Sequence, residues 1–585
     1  RAGYPSLHAG TLLIPFGRKT FLEPLFEWKL PSKIPLDVLE QLASFPRVQQ
    51  RLLYNRGIRD SVGANSYLRR QGSLYDPFLL DQMDLAVKTI LQAIDSRMKI
   101  AVYGDYDVDG VTASALLIQV LTALGAEVRG YIPNRFEEGY GVNKEALHTL
   151  HEEGIALTIT VDCGIRSPEE ALFARSLGME LIITDHHEPG GTIPEAAAVI
   201  CPKKPSDSYP DKNLAGVGLA YKLAEALLTA HPVAGIAAED WEDFVAVGTV
   251  ADMVSLTGEN RSLVKSGLQK LRVSSRPCIR ALAEVSSIRM ADIKASTIGF
   301  SFGPRLNAAG RLETAKLAFD LLMSRTLNEA RRFAIELNDQ NRQRQELTKL
   351  TQRQVLEEIN PARVPILIFS AKEEFNRGVV GLAASRLAEH FYRPAIVGSI
   401  NGDEIHASCR SILEFHITDA LDQCADLMVK HGGHAMAAGL TIKKDNWSMF
   451  VDKMTTIATQ RLQDQPLKPV KQVDMEIPLD YLKENVLEQI AEMEPFGMDN
   501  PEPLFLIRNL KVASSRIIGN DLSHLRLKLI SEDQITVDAV AFRQGWRRND
   551  LPERIDVLGT FEKNTWKDQQ TLQLNLVDFR SAVSN

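Results

Sequence analysis

MKIAVYGDYDVDG, residues 98–110, places Asp105, Asp107 and Asp109 directly behind a short apolar run. Residues 98–104 are rich in β-forming side chains. The segment that follows, VTASALLIQVLTALG (111–125), carries apolar residues at helical spacing. Strand, acidic turn and helix together open an α/β unit. Downstream, LTITVDCG (157–164), LIITDHH (181–187) and AAVIC (197–201) are further strand candidates, with helix-like SPEEALFARSLG (167–178) between the first two. Uniformly apolar strands suit a parallel sheet covered on both faces. Ligands of such sheets bind beyond the carboxyl ends of the strands. Two more candidate strands end in the same chemistry, one at Asp162, the other at Asp185, His186 and His187.

Carboxylates gathered at one edge repel each other unless cations neutralise them or some take up protons. Oxygen ligands with imidazole suit Mn²⁺ or Mg²⁺, and two such ions form a hydrolytic centre. One DxD alone would more simply be a helix cap; three strand ends with the same chemistry outweigh that. DxDxDG also opens a calcium-binding EF-hand loop. Here, however, a strand precedes it, and the twelfth position from Asp105 is Leu116 where that loop needs glutamate.

Bulk properties leave room for several domains in 585 residues. A hydrophobic share of 44% excludes a wholly disordered chain, and a net charge of -8 excludes a uniformly basic coat. A basic groove on an otherwise acidic surface remains compatible with nucleic acid. Five scattered cysteines without a CxxC pair argue against a disulfide framework or zinc ribbon, so a reducing cytoplasmic setting is expected. No uncharged apolar run is long enough for a transmembrane helix. The opening RAGYPSLHAG has neither Met nor an apolar signal core and reads as a cloning scar or trimmed end.

Farther along, a helix is expected from near Thr326, with Glu329 completing a capping box, to about Glu358, before Asn360-Pro361. Its middle is polar nearly all round, as in helices that bridge domains. A second α/β stretch follows with VPILIFS (364–370), RPAIVGSI (393–400) and EIHASCRS (404–411). After about Pro466, short alternating runs such as HLRLKLI (524–530) and LQLNLVDF (572–579) suggest a small β-barrel or sandwich.

Several weaker signals could bind phosphate. Arg135 lies in YIPNRFEEGYGV (131–142), and a guanidinium fork suits phosphate. Ser408 and Arg410 stand two apart, on one face if extended. HGGHAMAAG (431–439) offers a glycine-rich turn beside His434.

GDYDVDG, VDCG, TDHH and GTVADMV (248–254) resemble the four motifs of the DHH phosphoesterase superfamily. NRGVVGLAASRL (376–387) and the HASCRS and HGGH segments resemble the DHHA1 domain. SFGPRLNAAGR (301–311) and EPFGMDNPEP (494–503) narrow the resemblance to exonucleases of the RecJ type, from about Leu68 onward. The resemblance implies metal ligation by Asp107, Asp109, Asp162, His186 and Asp252. It also implies Asp105 as a further ligand and His187 as a phosphate or water contact. It implies a 5′-phosphate pocket of Arg135, Ser408 and Arg410, and DNA contacts by Arg305, Asn307, Arg311 and His434. The C-terminal strands would be an OB-fold barrel, where Trp546, Arg547, Lys563 and Trp566 are candidate DNA contacts.

The expected architecture is α/β. An N-terminal segment (1–67) precedes a parallel-sheet DHH domain (68–320), and a connecting helix (321–361) leads to a smaller α/β DHHA1 domain (362–465). An OB-like β-barrel (466–585) completes the chain. The expected activity is two-metal hydrolysis of single-stranded DNA from the 5′ end to 5′-mononucleotides, in repair and recombination. The expected state is a monomer away from membranes. A single-strand-binding protein and a recombination helicase are partners the resemblance suggests. One rival is a DHH enzyme acting on short oligoribonucleotides, cyclic dinucleotides or pyrophosphate. The other is a non-catalytic DHH scaffold in replication. The long C-terminal region disfavours the first, and the full set of carboxylates the second.

Overall fold

The computed structural model describes residues 22–68, 74–139, 141–519, 522–566 and 569–582. The chain divides into two compact units. The first is built mainly from Val62–Arg342 with Met493–Glu502. The second takes in Gln343–Glu492 and Pro503–Asn585 with the segment ending at Ser61.

The first unit centres on five parallel strands: β1 (Lys99–Gly104), β2 (Val128–Tyr131), β3 (Ile155–Val161), β4 (Glu180–Thr184) and β5 (Ala198–Ile200). Their order across the sheet is β2-β1-β3-β4-β5. Chain direction across the sheet therefore reverses between β1 and β3, a topological switch point where such sheets bind ligands. Strand β2, sequence VRGY, was not foreseen: it is an edge strand, only partly buried, and lacks the apolar run of its neighbours.

Alternate side chains feed two cores. Ile100, Val102, Leu157, Ile159 and Ile182 join one, and Ala101, Tyr103, Leu181 and Ile183 the other. Helix α1 (Val108–Ala123) is buried over nearly its whole length, which explains its apolar sequence. Helices α2 (Lys144–Glu152) and α3 (Pro168–Ser176) cover the opposite face. Helices α4 (Gly216–Ala230) and α5 (Glu242–Ala251) pack with α1. Helix α6 (Gly303–Leu312) follows a π-helical turn at Ile298–Phe302.

Helix α7 (Leu327–Glu358) has 32 residues and continues from the first unit into the second. Thr326 Oγ1 accepts the Glu329 amide at 3.3 Å, and Glu329 reaches back to the Arg325 amide at 3.0 Å. The helix is nevertheless not solvated all round, and the buried residues of its polar middle are themselves polar. Ala330, Ala334, Leu337, Asn341, Thr348, Thr351 and Val355 form a buried stripe, too small and polar to register as an apolar face.

The second unit contains a mixed sheet of β6 (Ile368–Lys372), β7 (Ala395–Asn401), β8 (Glu404–Arg410), β9 (Met428–His434) and β10 (Ala437–Lys443). Its order is β9-β10-β8-β7-β6, and only β6 and β7 pair in parallel. The glycines of HGGH, expected in a turn, lie within β9, which pairs with β10 through the tight connection at Ala435-Met436. Helix α8 (Val380–Phe391) connects β6 to β7.

At the C-terminus, β11 (Phe505–Ile518), β12 (His524–Ile530), β13 (Thr536–Ala541), β14 (Arg554–Trp566) and β15 (Gln569–Ser581) close a barrel. The ring runs β11-β12-β13-β15-β14 and returns to β11. Closure removes the sheet edges.

Arg547, expected to touch DNA, is instead fully buried in this part of the chain. It ion-pairs with Asp578 at 2.8 Å and donates to Gln544 Oε1 and the Phe579 carbonyl. Its guanidinium lies 3.8 Å from the Phe579 ring centroid. Asp578 also accepts from Trp28 Nε1 at 2.8 Å and the Phe26 amide at 3.1 Å. Removing one partner of a buried ion pair strands the other's charge. Asp578→Ala should therefore destabilise the protein by about 3–5 kcal/mol, read by denaturant unfolding. A loss under about 1 kcal/mol, the scale of an exposed pair, would contradict this placement.

Candidate metal centre

Each acidic side chain of the site is placed by a local turn. Strand β1 ends at Gly104. Asp107 then caps α1, its Oδ1 accepting from the Asp109 amide at 2.9 Å and the Gly110 amide at 3.1 Å. Asp109, inside the first turn, is completely buried. Its two oxygens accept the Gly216 and Val217 amides at 2.6 and 2.7 Å, at the start of α4. Asp162 follows β3 with φ 63°, a left-handed conformation that aspartate tolerates better than most residues. A side chain at Gly216 would meet Asp162 Oδ1 at 2.7 Å, so only glycine lets α4 start against this carboxylate.

Strand β4 delivers the histidines. Asp185 accepts the Ile165 amide, the His187 amide and His187 Nδ1 at 2.9, 3.0 and 2.7 Å. It thereby fixes the His187 ring, as carboxylates behind functional histidines do. The His186 and His187 rings lie 4.4 Å apart. His186 Nε2 stands 3.1 Å from Asp162 Oδ1, 3.6 Å from Asp252 Oδ2 and 3.9 Å from Asp109 Oδ2. Asp252 sits where α5 ends, before left-handed Met253.

Three overlapping groups have ligand atoms within 4.8 Å of one another: Asp105, Asp107 and Asp162; Asp109, His186 and Asp252; Asp162, His186 and His187. Asp162 and His186 each belong to two. Asp105 Oδ1, Asp162 Oδ1 and His186 Nε2 are buried without a hydrogen-bond partner. Burial and the neighbouring acids push Asp105 and Asp162 well above the usual carboxylate range. The same causes move Asp109 up to about 7 and Asp252 to about 9. Burial and His187 lower His186 to about 3. For Asp185, burial alone would raise the carboxyl, but the bonds from His187 and Ile165 outweigh it and hold it low. Orphaned ligand atoms and repelling carboxylates are what a divalent cation resolves, and the donor set fits Mn²⁺ or Mg²⁺.

A cavity of about 310 Å³ opens over the cluster, lined by Asp105, Asp107, Arg135, His187, Asp252, Asn307 and Arg311 among others. The Arg135 guanidinium lies 5.1 Å from the Tyr106 ring centroid. Tyr140, five residues after Arg135, lies outside the described residues. Asn307 and Arg311, one turn apart on α6, thus join the acids. Arg305 does not line the cavity; it bonds the Ser301 carbonyl and Asn338 at 2.8 and 3.1 Å.

In the second unit, Ser408 and Arg410 share a face of β8. A Cβ at Gly381, in the first turn of α8, would meet Ser408 Oγ at 3.3 Å and an Arg410 nitrogen at 3.4 Å. His434 is exposed at the end of β9, and Trp546 is partly exposed. Lys563 is paired with Glu484. Trp566 ends β14, and its side chain lies outside the described residues. Sequence reasoning missed Gly216 and Gly381. Each stands at the start of an apolar helical pattern, a place where a glycine signals a close approach.

The clustered acids tie stability to pH. Their raised pKa values give stability that is present at low pH and lost as pH rises through about 7 to 9. His186, lowered, works oppositely only below its ordinary 6.5. Above pH ~7 the acids therefore decide, and the chelated protein should melt at lower temperature at pH ~8.5 than at pH ~7. Mn²⁺ or Mg²⁺ should stabilise more at the higher pH, read by calorimetry. A metal-induced rise that is the same at both pH values would count against the cluster as a cation site.

Three family models match the chain in order. They are the DHH family, N-terminal domain (residues 99–249), the DHHA1 domain (363–460) and the RecJ OB domain (473–578). The chain is 38% identical over 554 residues to the single-stranded-DNA-specific exonuclease RecJ of Bacillus subtilis (strain 168), covering 93% of this chain and 69% of that protein. The crystal structure of RecJ in complex with Mn²⁺ from Thermus thermophilus superposes with a TM-score of 0.82 at 30% identity, covering 95% of this chain and 80% of that one. The Mg²⁺ complex from the same organism gives 0.76 at 28% identity, covering 95% and 79%. With both the domain order and the whole-chain identity in agreement, the chain belongs to the RecJ family.

Proposed function

We propose that this protein is an exonuclease that binds two divalent ions and degrades single-stranded DNA from its 5′ end to mononucleotides, in repair and recombination. The observation that carries the reading is the convergence of Asp105, Asp107, Asp109, Asp162, Asp252 and His186 at the sheet's switch point, where Asp105 Oδ1, Asp162 Oδ1 and His186 Nε2 are buried without a hydrogen-bond partner. The relatives named above are single-stranded-DNA-specific exonucleases.

When bound, the ions supply Lewis-acid polarisation of the phosphate and neutralise charge that develops on its oxygens. Asp105, Asp107 and Asp162 would hold one ion. Asp109, His186 and Asp252 would hold the other, with Asp162 near both. The protein's own groups then orient the strand. Arg135, Asn307 and Arg311 face the same cavity as the acids and are suited to donate hydrogen bonds to phosphate oxygens. His187, its ring fixed by Asp185 at 2.7 Å, lines the same cavity and is proposed as a phosphate or water contact. Ser408 and Arg410 are proposed as ligands of the terminal phosphate, beside the N-terminus of α8, a position that favours anions. The exposed Trp546 suits base stacking on the barrel. Arg305 and His434 remain proposed backbone contacts. A single-strand-binding protein and a recombination helicase are the proposed partners.

Strands labelled at either end test polarity. The 5′ label should appear as mononucleotide first, dinucleotides should be poor substrates, and early release of a 3′ label would refute the reading. In the same assay Asp162→Asn should lower turnover by about 10²-fold or more, since even groups behind a metal ligand cost 10–100-fold in metal affinity or activity. Full activity in that variant would remove the site assignment.

Arg410→Ala should raise KM for 5′-phosphorylated strands about tenfold, the worth of a hydrogen bond to a charged group. It should leave 5′-hydroxyl strands nearly unchanged. An equal effect on both would show that Arg410 does not read the terminal phosphate.

A further inference from the structure

The EPFGMDNPEP motif lies far along the chain from the acidic motifs, yet Met493–Glu502 folds into the same unit as they do. Asn500 is buried at its centre. It accepts from the Tyr67 hydroxyl at 2.7 Å and donates to the Met493 and Pro495 carbonyls at 3.0 and 2.6 Å. Arg261 donates to the Glu494 carbonyl at 3.0 Å and stacks on Tyr67, with its guanidinium 3.8 Å from the ring centroid. These contacts pin the segment as a strap.

The strap contacts the chain just beyond the metal centre. The Met498 carbonyl accepts the Leu256 amide at 2.9 Å. A Cβ at Gly497 would meet Leu256 Cδ1 at 2.6 Å, so the strap's backbone lies flat on that side chain. Leu256 is four residues beyond Asp252. Asp107, Asp109 and Asp185 are all held by backbone amides. Among the described residues, none donates a hydrogen bond to the Asp252 carboxylate. Its position therefore depends on its backbone, which is held on the α5 side by the Asp252 amide on the Gly248 carbonyl at 2.9 Å and runs on through left-handed Met253 to the second anchor at Leu256.

We propose that the strap, through Gly497 and the Met498 carbonyl against Leu256, positions Asp252 as a metal ligand. Gly497 and Leu256 are positioning residues and touch no substrate. The proposal rests on the metal-centre reading above.

The experiment is a calorimetric Mn²⁺ titration of the full chain with Gly497→Val, Leu256→Ala and the double variant, together with kcat and KM on a single strand as Mn²⁺ is varied. Gly497→Val should weaken one of the two Mn²⁺-binding steps by about tenfold or more, the scale for groups behind a ligand. It should lower kcat with KM little changed, and excess Mn²⁺ should restore kcat. Adding Leu256→Ala makes room for the valine and should recover part of the lost Mn²⁺ affinity. A purely structural role would lower the melting temperature and leave Mn²⁺ affinity alone; that result overturns the proposal. Should Gly497→Val not fold, Gly497→Ala takes the same measurement and is read the same way. Parent protein that binds no Mn²⁺ would overturn the metal reading itself. Parent that binds, beside a folded variant of equal affinity, overturns the strap alone.

Discussion

The mutual repulsion of carboxylates held out of water is the constraint around which the first unit is built. Asp105, Asp109 and Asp162 are nearly inaccessible, and Asp252 is mostly so. Left to themselves such groups take up protons, as their raised pKa values show. The fold nevertheless brings them together, because β1 and β3 end side by side where strand order reverses. A divalent cation held there would convert that cost into affinity, since carboxylates that repel one another gain most from positive charge.

Preorganisation comes from the backbone more than from side chains. Helix α1 starts on Asp107, and α4 starts against Asp109 and Asp162, so two helix N-termini share the negative charge. Gly216 makes that approach sterically possible. Asp185 plays a different part: it is buried and low in pKa, and it spends its hydrogen bonds on His187 and the chain after Asp162. Among the described residues Asp252 has no such donor, and the strap from the C-terminal motif meets the chain four residues beyond it, at Leu256.

The second unit shows how burial reassigns a residue. Arg547 and its neighbour Arg548 are alike in sequence. Arg547 is inaccessible and bound to Asp578, whereas Arg548 is exposed. Each sits in the 3₁₀ turn Gly545–Asp550, where one residue's step around the turn carries a side chain from solvent to the interior. Basic character alone therefore marked a DNA contact where the molecule has a buried ion pair. The same applies to HGGH, whose glycines read as a turn but pair as a strand because β10 lies close beside them.

The sequence by itself determined the features set by neighbours in the chain. Four strands of the parallel sheet, the acidic turn after β1, the acids after β3 and β4, and the long helix were all legible from period and capping, because hydrophobic alternation and turn chemistry act over a few residues. The shared face of Ser408 and Arg410 was legible for the same reason. Asp252, Arg135, Asn307 and Arg311 were marked by motif resemblance; only the folded chain put them around one cavity with the acids. The edge strand β2, the buried stripe of α7, the interior place of Arg547 and the strap on Leu256 were decided by tertiary structure alone. Each depends on which distant segment covers a residue, and no local periodicity carries that information.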